Sequence, residues 1–112
     1  MELTPEQANE LRAKCKERID LREALNRLHH NPDYIAIVDE YTVKEAVRLT
    51  HLLGEPTFNL SDKREVQRTE IKESLIGVAR FMAFLRNIYR MAEQAEKTLD
   101  DLRKAEAESD NN

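Results

Sequence analysis

The 112 residues predict an all-α protein: a three-helix antiparallel arrangement with a kinked second helix and a long, overhanging, coiled-coil-like C-terminal helix. Three observations carry this. There are only two glycines and three prolines, too few for the hairpins of a sandwich or barrel, which need residues tolerant of positive φ. Apolar residues recur at three- and four-residue steps, the period of one helix face. Helix-start signals also stand at the heads of separate segments. The length fits one domain, residues 1–108, with helices at about 5–30, 32–53 and 62–107 and an acidic, disordered tail at 109–112.

Thr4-Pro5-Glu6-Gln7 opens the first helix. Thr4 caps it, Pro5 takes the first position, where no intrahelical donor is needed, and Gln7 reaches back to the amide of Thr4. Its stripe reads Ala8, Leu11, Cys15, Ile19, Leu21, Leu25 and Leu28, drifting sideways where Arg18 holds an expected apolar position. Asn31-Pro32 stops this helix and caps the next, because the residue before proline is pushed out of the helical region. The second helix reads Tyr34, Ile35, Ile37, Val38 and Tyr41, then Val43, Ala46, Val47, Leu49 and Leu53. Thr42-Val43-Lys44-Glu45 between its halves has the form of a capping box, which predicts a kink at Tyr41-Thr42. Gly54 ends it. A loop around Pro56 follows, in which Phe58 has to find cover, and Asn59 or Ser61 caps the last helix.

The last helix has no interruption stronger than Gly77. Written as heptads, its inner positions are Ile71, Ser74, Val78, Phe81, Leu85, Ile88, Ala92, Ala95, Leu99 and Leu102, flanked by Leu75, Met82 and Tyr89. The stripe is wide in the middle and narrows after Ala92 to a seam that fits one neighbour. The candidate interaction residues are therefore Ala92, Ala95, Leu99 and Leu102, with Arg86 and Arg90 beside them, and the expected partner is a second copy of the chain. The alternative is that the first helix covers this seam through Leu11 and Cys15. Gly77 predicts close approach of another helix backbone near Ser74 and Val78, the alternative being a neutral glycine on an exposed face.

Composition also excludes chemistry. No run approaches the ~18 apolar residues of a membrane span, and the start of the chain has neither the basic residues nor the apolar run of a secretory signal, so a cytoplasmic protein is expected. Cys15 alone makes no internal disulfide, and on an apolar helix face it reads as a small hydrophobe rather than a nucleophile. His29 and His30 are adjacent and point about 100° apart on a helix, and His51 has no histidine or carboxylate set beside it on one face, so no metal or cofactor is expected. Carboxylate pairs such as Glu70 and Glu73 lie among basic neighbours and read as solvated faces, there is no glycine-rich phosphate loop, and the chain is not expected to be an enzyme. Arg80, Arg86 and Arg90 raise nucleic-acid binding, but 22 acidic against 18 basic residues oppose phosphate approach. Residues 93–112 hold seven acids against three bases, so the acidic end could also bind a host protein.

The stretch Ala24-Leu25-Asn26-Arg27-Leu28-His29-His30-Asn31-Pro32-Asp33-Tyr34-Ile35, then Glu40-Tyr41, Glu45-Ala46-Val47-Arg48-Leu49 and Phe84-Leu85-Arg86-Asn87-Ile88-Tyr89, resembles small helical proteins of tailed bacteriophages and prophages. The resemblance covers roughly residues 20 to 95 and lies in capping and packing motifs. It implies a virion-associated or assembly protein acting through helix pairing in the bacterial host cell or the virion, and it carries over no catalytic residue. An inhibitor or adaptor for one host protein is the second expectation.

Overall fold

A computed structural model describes residues 3–56 and 62–110, and among these no strand forms. The helices are α1 (Pro5–Leu28), α2 (Pro32–Asp39), a π-helical segment Glu40–Glu45, α3 (Ala46–Leu53) and α4 (Arg64–Asp110). Phe58, Asn59 and Ser61 lie outside the described residues, as do Asn111 and Asn112. The chain forms two compact units, one of residues 1–27 with 86–112 and one of residues 28–85.

The capping chemistry forms as the sequence dictates. The Thr4 amide donates to Gln7 Oε1 at 3.0 Å, and the Gln7 amide donates to Thr4 Oγ1 at 3.1 Å. Asn31 is extended, with φ −89° and ψ 117°, and its Oδ1 accepts from the amides of Asp33 at 2.9 Å and Tyr34 at 3.2 Å. Gly54 ends α3 with its amide bonded to the carbonyl of His51 at 3.0 Å. α1 ends at Leu28, two residues earlier than expected, and His29 and His30 form the turn before Asn31. α4 stays helical to Asp110, past the point where fraying was expected, because Ala105, Glu106, Ala107 and Glu108 favour helix and no glycine or proline interrupts them.

The interruption in the second helical segment is not a capped break. Glu40–Glu45 is a π turn, and Asp39, Glu45 and Ala46 all keep right-handed helical angles. Thr42 Oγ1 donates to the carbonyl of Val38 at 2.7 Å, so the hydroxyl is spent inside the helix rather than on a cap. One extra residue in the turn shifts the inward face, which runs through Tyr34, Val38, Thr42, Ala46 and Leu49.

In the first unit α1 runs antiparallel to residues 86–110. Arg12 pairs with Glu106, Arg22 pairs with Glu96, and Tyr89 Oη donates to Asn26 Oδ1 at 2.7 Å. The inward face of α1 carries Ala8, Leu11, Cys15, Ile19, Arg22 and Leu25. Arg22 takes the place the sequence reading gave to Leu21, which is exposed, as is Leu28. The strict three-and-four step selects Arg22, whose stem covers apolar surface while its head meets Glu96. The facing residues are Ile88, Ala92, Ala95 and Leu102, with Leu99 half-buried. Two alanines in that row let the helices approach closely, and each buried leucine adds about 1.5 to 3 kcal/mol.

The second unit buries less. Leu49, Ile71 and Val78 are its buried apolar residues, with Leu75, Phe81 and Leu85 half-buried, and Tyr41 meets Phe81 edge-on at a centroid distance of 6.0 Å. Ser74, expected inside, is exposed, and Leu75 takes its place on the seam.

Candidate interaction surface

The six residues singled out from the sequence fall into two groups. Ala92, Ala95 and Leu102 are buried at 0%, 1% and 5% exposure, and Leu99 is half-buried. They form the α1 hairpin, so the seam open to a second copy in the sequence reading is closed within the chain. Arg86 and Arg90 lie exposed beside it. Arg90 is occupied locally, donating from Nε and Nη2 to Asn87 Oδ1 at 3.1 and 2.5 Å. Arg80 belongs to the other unit, so the three arginines are not one described basic patch.

The groups considered for chemistry stay apart. Cys15 is 1% exposed. His29 stacks obliquely on Tyr34 with centroids 5.9 Å apart, while His30 and His51 are exposed. Among the described residues no three His, Cys, Asp or Glu side chains converge as a metal site would require, and no helix is long and apolar enough to cross a membrane. Ion pairs along the helices are local. Arg48 Nη2 meets Glu45 Oε1 at 2.5 Å, and this hydrogen bond holds the Glu45 carboxyl below its usual range. Arg103 and Lys104 do the same for Asp100, at 2.7 and 3.0 Å. Each is an i,i+3 or i,i+4 pair on a solvated face, the spacing at which helix side chains meet.

Open surface of a different kind gathers in residues 28–85. Among the described residues eleven large apolar side chains are exposed, and ten of them lie there, Leu21 being the exception. Two patches stand out. A shallow groove along residues 43–55 has Val43, Val47 and Leu52 in its lining, with Lys44, Arg48 and His51 beside them. On α4, Val66, Ile76 and Phe84 are 62%, 49% and 59% exposed, on the side opposite the buried Ile71 and Val78.

Val43 and Val47 belong to the second helix's apolar row in the sequence, whereas Val66, Ile76 and Phe84 fall outside the heptad seam of the last helix. The signal was present as a second apolar row at helical spacing on the back of the long helix. Comparison with protein-family models, curated proteins and solved structures finds no match to this chain.

Proposed function

We propose that this chain is a non-enzymatic helical interaction protein and, following its resemblance to small phage proteins, a virion-associated or assembly component that works through helix pairing. The observation that carries the reading is the contrast between the units: residues 5–27 and 86–102 close on each other, whereas the described residues of 28–85 leave ten large apolar side chains exposed. Apolar surface concentrated in this way marks an interaction site.

The acidic end supports a second reading, an inhibitor or adaptor for one host protein, because residues 103–110 are exposed throughout. Stoichiometry separates the two. Tagged protein recovered from phage-producing cells should accompany particles or assembly intermediates in many copies. Recovery as a one-to-one complex with a single host enzyme would replace the first reading with the second.

A further inference from the structure

α4 carries two seams. The inner one, through Ile71, Leu75, Val78 and Leu85, packs within its unit. The outer one, through Val66, Thr69, Glu73, Ile76, Arg80 and Ala83, follows the same alternation of three- and four-residue steps, and every member is exposed. Phe84 adjoins it. What sets it apart from an ordinary solvated row is its content, since Val66 and Ile76 lie open at 62% and 49% exposure.

The two charges on this row are exposed and open to a neighbour. Glu45, Asp100, Arg22 and Arg48 are paired, but among the described residues neither Glu73 nor Arg80 forms an ion pair. Three and four residues away, Arg80 has Ile76, Gly77, Ala83 and Phe84, and Glu73 has Thr69, Glu70, Ile76 and Gly77. Helix neighbours of opposite charge are absent for both. The two sit at equal distances on either side of the Ile76-Gly77 bond. A second copy turned end for end about that point brings its Arg80 level with Glu73 and its Glu73 level with Arg80, with Ile76 of each copy level with Gly77 of the other and the two Ile76 side chains flanking the axis. Parallel pairing sets Glu73 beside Glu73 and Arg80 beside Arg80. The row is therefore complementary to itself in one orientation, which is what a two-fold interface requires.

We infer that two copies of this chain pair antiparallel through the outer face of α4, centred on Ile76 and fixed in register by reciprocal Glu73 to Arg80 ion pairs. The inference rests on the reading of the chain as a helix-pairing protein and names the partner. The face is about five helical turns long with three large apolar residues, so its contact falls at or below the low end of interface sizes, roughly 1,200 Å² in total, and the dimer is concentration-dependent.

Sedimentation of the full chain from about 10 μM to about 1 mM spans the affinities such a contact gives. The expected result is a monomer–dimer equilibrium that Glu73→Arg or Arg80→Glu each weakens at least about tenfold, by setting like charges opposite one another, and that the double reversal restores. Both positions are exposed, and an unchanged helical circular dichroism signal confirms folding. Mild oxidation reads the orientation: Ile76→Cys should form a disulfide-linked dimer and Val66→Cys should not, because position 76 lies beside the two-fold axis whereas position 66 lies level with position 87 of the other copy. A wild type that stays monomeric, single reversals without effect, or equal cross-linking at both positions overturns the inference. If the chain is monomeric yet still accompanies phage assemblies in many copies, the broader reading stands without it.

Discussion

At Gly77, the sequence predicts a helix backbone pressed close, and the structure places a side chain there instead: an added Cβ would lie 3.5 Å from the Tyr41 hydroxyl, an ordinary contact. Gly77→Ala should therefore recover helix propensity of up to about 1 kcal/mol and raise the melting temperature, whereas Gly77→Leu has to displace Tyr41 and should lower it relative to alanine. A lower melting temperature for the alanine variant would show that no room exists. The carboxylates give a second prediction at this scale. Glu45 lies below its ordinary 4.5 through the hydrogen bond from Arg48, and Asp100 lies below its ordinary 3.8 through Arg103 and then Lys104. A lowered folded value stabilises above the ordinary value and loses that contribution as pH falls through the lowered one. Wild type should thus melt higher than Glu45→Gln with Asp100→Asn at neutral pH, and the gap should close as pH falls through the lowered values of the two carboxyls. Both pairs are solvent-exposed, so high salt should narrow the neutral-pH gap as well. A gap that persists at low pH would assign the effect to something other than these charges.

Among the elements, the hairpin of α1 with residues 86–110 reverses one sequence expectation. An open seam would let Leu99→Asp with Leu102→Asp leave a folded monomer. Leu102 is instead 5% exposed, so the double substitution places a charge in an apolar layer and should remove much of the helical circular dichroism signal. Ala95→Leu tests the same packing from the opposite direction, since the site is 1% exposed and overpacking costs about 1 to 3 kcal/mol. A variant as stable as wild type would mean that α1 does not cover position 95. The inner positions Ala92, Ala95 and Leu102 were legible because heptad spacing alone defines them. Which helix covers them was not, because a narrow seam fits α1 and a second copy equally well. Arg22 shows why: hydropathy passes over an arginine, yet its pair with Glu96 helps select α1. The π turn was half legible in the same way. Thr42 announces an interruption, but whether its hydroxyl caps a new helix or bonds back to Val38 depends on whether the chain has to change direction there.

Across the molecule, stability should be distributed as burial is. Among the described residues ten apolar side chains are buried, seven of them in residues 1–27 and 86–112 and three in residues 28–85. Amides in a poorly covered unit open at lower free energy than those beneath a closed core, and hydrogen exchange reads that difference residue by residue. At low micromolar concentration, amides of α2, α3 and residues 64–85 should exchange faster than those of residues 8–25 and 88–102. The break should fall within α4 itself, where one continuous helix passes from one unit to the other. Helix propensity cannot produce such a break, because Ala79, Arg80, Met82, Ala83 and Leu85 are as favourable as the residues that follow them. Raising the concentration should then slow exchange in residues 64–85 and leave residues 88–102 unchanged, since added cover reaches only the open half. Uniform protection along α4 at every concentration would mean that the helix is held by its own backbone ladder rather than by what packs on it. In that case the exposed apolar residues of the second unit would no longer point to a missing neighbour.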